Sequence, residues 1–264
     1  YNPVRQVQDC PIYGGMIEAM DEAVGHVLDT LEKLGLEENT IVCFTSDNGG
    51  ASTGDAFATS CLPLRGGKGR QWEGGIRVPL IVRWPGKISG GKISSQPTVN
   101  VDFYPTLLEA AKVNLDKAQK LDGISILANW TNPKATPKRD AIYWHYPLEK
   151  PHFLSGISGG AIRTGDWKLI EFFDTGKVEL FFFAEDVGEK NNLVGKQPKW
   201  AERLQKPLAR QRNGPSLNHF HPSSVRRHRR PLLPGSWRQC RRSSWSGRKG
   251  RRQRRFWLWC PALQ

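Results

Sequence analysis

Between Thr40 and Pro79 the chain reads Thr-Ile-Val-Cys-Phe-Thr-Ser-Asp-Asn-Gly-Gly and, after a linker, Leu-Arg-Gly-Gly-Lys-Gly-Arg-Gln-Trp-Glu-Gly-Gly-Ile-Arg-Val-Pro. No other stretch restricts the fold as much. The β-formers Ile41, Val42 and Phe44 stop abruptly at Asp47, Asn48, Gly49 and Gly50. That pattern predicts a buried strand delivering two oxygen-bearing side chains to its carboxyl end, with glycines freeing the turn behind them. Ligands collect at that end of the strands in open α/β sheets. The second glycine-rich loop carries Arg65, Lys68 and Arg70. A carboxylate–amide pair facing a cation-rich loop is the pattern of a metal bound beside an anionic substrate. The same residues also describe a strand, an Asx turn and a solvated loop, and on their own they leave both readings open.

Composition enters through one exclusion. The formal net charge is +14, but Pro207–Gln264 holds 15 Lys and Arg and no Asp or Glu, leaving 24 basic and 25 acidic side chains in Tyr1–Lys206. The body is close to neutral and gives no reason to invoke nucleic acid. The tail interleaves its arginines with Trp237, Trp245, Trp257 and Trp259. Such segments bind single-stranded nucleic acid or anionic membrane surfaces, yet this one has neither an amphipathic period nor a nucleic-acid fold signature. The loss of every acid at one point is what a shifted reading frame produces, and residues 207–264 are expected to form a disordered basic tail. The cysteines (Cys10, Cys43, Cys61, Cys240 and Cys260) show neither zinc spacing nor the density of a disulfide scaffold. No apolar run approaches the roughly 18 residues of a membrane span, so none is expected.

Along the chain, Ile17, Met20, Val24, Val27, Leu28, Leu31 and Leu34 follow helical spacing, predicting an amphipathic helix over Tyr13–Leu34 closed by Gly35. With the strand Thr40–Ser46 it makes one αβ unit of a layered sheet. Val78–Trp84 reads as a second short buried strand. Asp102 is expected to N-cap a helix carrying Pro105, Leu107, Leu108 and Ala111. A polar approach then leads to four short strands, Ala141–Tyr146, Gly160–Arg163, Trp167–Phe173 and Val178–Phe183, followed by a terminal helix over Asn192–Lys206. The fold class is therefore α/β: a layered α/β domain over 1–138, a small antiparallel four-stranded sheet with a helix over 139–206, and the tail.

Six motifs in order resemble the type I sulfatases of the alkaline-phosphatase-like superfamily. They are Thr45-Ser-Asp-Asn-Gly-Gly, Pro63-Leu-Arg-Gly-Gly-Lys-Gly, Trp72-Glu-Gly-Gly-Ile-Arg-Val-Pro, Asp102-Phe-Tyr-Pro-Thr, Leu121-Asp-Gly-Ile-Ser and Ala161-Ile-Arg-Thr-Gly-Asp-Trp-Lys-Leu-Ile. The resemblance implies that Asp47 and Asn48 are ligands of a calcium ion, a hard cation taking about six to eight oxygens. It implies that Lys68 contacts the sulfate group and neutralises charge on the departing alkoxide. Arg65 and Arg70 are candidates for added positive potential, and Glu73 and Arg77 for bracing the loop. His145, in Trp144-His-Tyr-Pro, reads first as a partly buried histidine bonded to backbone and second as a substrate contact near the cleft; His152 is a weaker candidate.

The resemblance further implies a formylglycine nucleophile, made from the cysteine or serine of a Cys-x-Pro-x-Arg motif, which attacks sulfur when hydrated and releases sulfate by elimination. That motif lies far upstream in the family, whereas only 46 residues precede Asp47. The expectation is a sulfatase fragment lacking its nucleophile half. Cys61-Leu-Pro-Leu-Arg65 fits the motif formally but runs straight into Gly66-Gly-Lys-Gly, the downstream loop, and is read as a coincidence. The expected substrates are sulfated glycans or aryl sulfates, and the expected location is periplasmic or secreted. The competing readings are a non-catalytic fragment binding calcium or sulfated glycan, and a related phosphoryl or phosphonate hydrolase.

Overall fold

The computed structural model describes residues 4–54, 57–115, 119–149 and 156–212. Helix α1 spans Pro11–Lys33, with proline in its first turn where a missing N–H costs nothing. Its end is set by Gly35 at φ 64°: the Gly35 N–H donates to Glu32 O at 3.0 Å and the Leu36 N–H to Leu31 O at 2.9 Å. These two bonds define a Schellman cap, and only a residue tolerant of positive φ closes it cheaply. The predicted apolar stripe is present, but α1 buries none of its residues. Ile12 is 77% exposed and Met16 64%.

Strand β1 (Val42–Thr45) pairs antiparallel with β2 (Leu80–Arg83), Val42 opposite Arg83 and Thr45 opposite Leu80. The sequence predicts two buried strands; the structure makes them half-buried, with Ile81 46% exposed. The physical reason is simple. Among the described residues the two strands pair only with each other, so their outer edges and much of their faces meet no second layer. Between them the short helix α2 (Glu73–Ile76) is almost entirely buried.

Helix α3 (Phe103–Ala110) begins after Asp102, but the expected cap bond is not made. The Asp102 carboxylate turns back instead. It accepts the N–H groups of Val99 at 2.9 Å and Ile124 at 3.1 Å and pairs with Arg139. Two backbone N–H groups and a guanidinium satisfy this wholly buried carboxylate better than a cap would. The one-turn helix α4 (Leu127–Thr131) follows.

All four predicted C-terminal strands form: β3 (Ile142–Tyr146), β4 (Gly159–Thr164), β5 (Trp167–Phe172) and β6 (Val178–Phe182), an antiparallel meander in chain order. Side chains alternate between its faces. Ile162, Leu169 and Leu180 pack under Ala201, Leu204 and Leu208 of helix α5 (Pro198–Arg212). Ala161, Ile170, Phe172 and Phe181 pack on the other face against Trp72 and Ile157. The helix starts later than predicted and does not stop at Pro207. Proline deletes one backbone hydrogen bond, but continuing to Arg212 buries Leu208 to 3% exposure and pairs Arg212 with Glu171 at 2.9 Å. Burying one leucine contributes about 1.5–3 kcal/mol, more than the roughly 1 kcal/mol of one backbone hydrogen bond. The basic tail expected from residue 207 therefore loses its first six residues to the helix; the remainder, from 213, lies outside the described residues.

Candidate active site

The turn after β1 and the glycine loop are fastened backbone to backbone. The Gly49 N–H donates to Gly75 O and the Lys68 N–H to Gly50 O, each at 2.9 Å. A Cβ on Gly49 would fall 1.8 Å from Gly74 O, and one on Gly67 would fall 1.9 Å from the Ser52 hydroxyl oxygen. These glycines are needed for close approach, and without them the two motifs would not meet. Gly66 and Gly69, at φ 77° and 83°, turn the chain on either side of Lys68. The result carries Lys68 to the turn that holds Asp47 and Asn48.

Asp47 is exposed and Asn48 half-buried. The Asn48 amide donates to the Asp47 carboxylate, and the Ser46 hydroxyl donates to Asn48 O at 3.0 Å. Two adjacent oxygen donors of this hardness fit calcium, though they are two of the roughly six to eight it takes. Among the described residues no group of three or more His, Cys, Asp or Glu converges to complete the shell. Lys68 is half-buried, and among the described residues no carboxylate or other acceptor engages its ammonium. Cys61 lies alongside, its Sγ 3.8 Å from Gly50 O.

The two arginines of the loop are placed differently. The Arg65 guanidinium pairs with Glu179 at 3.1 Å, donates to Glu189 O at 3.0 Å and lies 4.0 Å above the Trp72 ring. Arg70 is 4% exposed and 5.6 Å from the same ring. Arg70 is buried, whereas Arg65 is engaged by Glu179 and Trp72 with 36% of its side chain exposed. Glu73 and Arg77 brace the loop: Glu73 is 2% exposed and meets Lys168 at 2.9 Å, Arg77 at 3.7 Å and Arg163 at 3.9 Å.

His145 is exposed. It stands opposite Gly160 on β3, in register with Glu171 and Val178, which share the α5 face. Trp144, its neighbour, packs on the Trp72 side. The His145 ring lies 5.4 Å from Phe173, and burial, followed by the charge of Arg212, holds its pKa below the ordinary histidine value. A one-residue step along a strand reverses the face, so His145 and Trp144 lie on opposite faces of the sheet. His152 lies outside the described residues.

Sequence reasoning did not single out Lys168, Glu179 and Glu189, which anchor the loop from the sheet. Lys168 and Glu189 have no exposed surface, and Glu179 is 4% exposed. Burial drives the Glu189 carboxyl upward against the pull of Lys168 beside it. A signal was present: Lys168 and Glu179 occupy inward positions of otherwise apolar strands, where a charge needs a buried partner.

The comparisons agree with this architecture. Residues 3–113 match the family model for sulfatase, and residues 68–214 match that for the C-terminal region of N-sulphoglucosamine sulphohydrolase. A sulfatase of Formosa agariphila is 34% identical over 201 residues, covering 70% of this chain and 36% of the relative. An N-acetylglucosamine-6-O-sulfatase of Bacteroides thetaiotaomicron is 36% identical over 187 residues, covering 70% and 32%. The chain thus spans about a third of the length of these relatives. A solved structure in complex with its substrate D-glucosamine-2-N,6-O-disulfate superposes with TM-score 0.63 at 32% identity, over 79% of this chain and 41% of the other. Another, in complex with a neocarrahexaose, gives 0.67 at 29%, over 78% and 44%. With more than half of its residues inside one of these family models, and the glycine loop and turn locked together as described, the chain belongs to the type I sulfatase family.

Proposed function

We propose that this chain is part of a sulfuric ester hydrolase acting on sulfated carbohydrates, with Lys68 as its sulfate contact. The observation that carries this reading is the Lys68 loop: an ammonium without an acceptor among the described residues, hydrogen-bonded through its backbone to the Asp47–Asn48 turn. A sulfate ester carries one negative charge spread over three oxygens, which one ammonium can bind by charge-assisted hydrogen bonds. Lys68 would hold the sulfuryl oxygens in the ground state. As the S–O bond to the sugar breaks, the same cation faces growing negative charge on the leaving oxygen. Asp47 and Asn48 would hold calcium, which when bound supplies fixed positive charge beside the sulfate. We place the nucleophile, a formylglycine in this family resemblance, beyond these 264 residues. Arg65 and His145 remain weaker substrate-binding candidates, since the first is engaged by Glu179 and the second faces α5. The carbohydrate class is taken from the relatives, one named for N-acetylglucosamine 6-O-sulfate and one bound to a disulfated glucosamine.

The test is calorimetric titration of the chain with glucosamine 6-sulfate in the presence of calcium. Lys68→Ala should weaken binding about tenfold to a hundredfold, the cost of one hydrogen bond to a charged group, with an unchanged melting temperature. Equal affinity in the two proteins would remove Lys68 from the site.

A further inference from the structure

The buried charges joining the glycine loop to the four-stranded sheet have no part in the chemistry above. Lys168 donates to Glu73 Oε1 at 2.9 Å and to Glu189 Oε1 at 2.8 Å. The second oxygen of Glu189 accepts the backbone N–H of Glu73 at 2.6 Å. Buried ion pairs are poor sources of stability, because desolvation offsets much of the attraction. A fully enclosed ammonium between two carboxylates therefore needs another explanation, and what the group holds supplies one.

Every segment it grips leads to Lys68. Glu73 opens α2, whose Gly74 N–H donates to Arg65 O at 2.8 Å and whose Gly75 carbonyl receives the Gly49 N–H at 2.9 Å. On the other flank Glu179 accepts from Trp72 Nε1 at 3.0 Å and pairs with Arg65 at 3.1 Å, while the Glu189 carbonyl accepts from Arg65. The loop is thus held at both ends from the sheet.

We propose that Lys168 is a positioning residue for Lys68: by holding Glu73 and Glu189 together, it sets the place of the glycine loop and so of the ammonium that meets a sulfuryl group. This rests on the reading of Lys68 as the sulfate contact. Lys168 itself touches no substrate. Without its charge the two carboxylates face each other in the interior with only Arg77 and Arg163, at 3.7 and 3.9 Å from Glu73, as nearby cations among the described residues; buried like charges repel, and the anchor of α2 is weakened.

The experiment compares the 264-residue chain with Lys168→Met, Glu189→Gln and Lys68→Ala, reading amide hydrogen exchange and inorganic sulfate affinity. Glu189→Gln keeps shape and an acceptor for the Glu73 N–H, and so guards against Lys168→Met failing to fold. Both network variants should speed exchange at Lys68, Gly74 and Gly75 at least about tenfold while Leu169 and Leu180 stay protected, the pattern of a local opening. Both should also weaken sulfate binding by about tenfold or more. Unchanged exchange at the loop overturns the proposal, as does protection lost uniformly across β4–β6, which assigns the network a purely structural role. Unaltered sulfate affinity in Lys68→Ala, or none in the unsubstituted chain, counts against the sulfate contact alone. The exchange pattern still decides whether Lys168 positions the loop.

Discussion

At the residue scale, the site depends on two kinds of position: those that present a charge and those that leave room for it. Asp47 is of the first kind. Asp47→Ala should weaken calcium binding by about tenfold to a hundredfold, at least the effect of losing a supporting partner; calcium titration followed by calorimetry reads this directly. Gly67 is of the second kind. Gly67→Ala would set a methyl 1.9 Å from the Ser52 hydroxyl oxygen and 2.8 Å from Gly50 O, the very carbonyl that receives the Lys68 N–H. The expected cost is about 1–3 kcal/mol of stability, as for other overpacked sites, by chemical denaturation. Sulfate affinity should fall with it. The contact between the Asp47–Asn48 turn and the Lys68 loop was legible in the sequence because glycines follow the first motif and flank Lys68. The pairing of Arg65 with Glu179 was not, since a guanidinium in a loop reads the same whether it faces solvent or a carboxylate.

At the scale of elements, α5 shows tertiary packing overriding local preference. Proline at 207 predicts an end, yet the helix continues because Leu204 and Leu208 fall one turn apart on the face that covers Ile162, Leu169 and Leu180. A chain ending at Lys206 should therefore be less stable than one ending at Asn213 by about 1–2 kcal/mol, the burial of one leucine less the backbone hydrogen bond that proline deletes. Equal melting temperatures for the two would return the boundary to Pro207. The four short strands were legible from their alternation and from the turns at Gly165 and Gly176, both at positive φ. The register that places Trp144 against Trp72 and turns His145 toward α5 was not, because register is settled by which face finds a partner.

At the scale of the whole molecule, the two hydrophobic clusters both lie on the C-terminal sheet, and α1, β1 and β2 contribute to neither. Global stability should accordingly follow groups around that sheet. His145 provides a pH handle. Its pKa in the folded state is below the ordinary 6.5, first from burial and then from Arg212. The unfolded chain then binds more protons in the window below 6.5, so stability is complete above it and declines as pH falls through it. The melting temperature of the unsubstituted chain should drop more between about pH 7.5 and pH 5.5 than that of His145→Gln. Parallel curves would show that the ring titrates freely.

The sequence by itself determined the motifs and their order, the strand that ends in Asp47 and Asn48, the glycines that let two backbones touch, and the near-neutral charge of the body. Those follow from residue type and spacing, which act locally. Only the tertiary structure decided what each buried charge is for. Lys168, Glu189 and Glu73 are distant in sequence, and their meaning comes from converging in an interior where an unpaired charge is costly. The same holds for His145 and Arg65. Only the folded sheet shows that His145 shares the α5 face and that the Arg65 guanidinium is paired with Glu179.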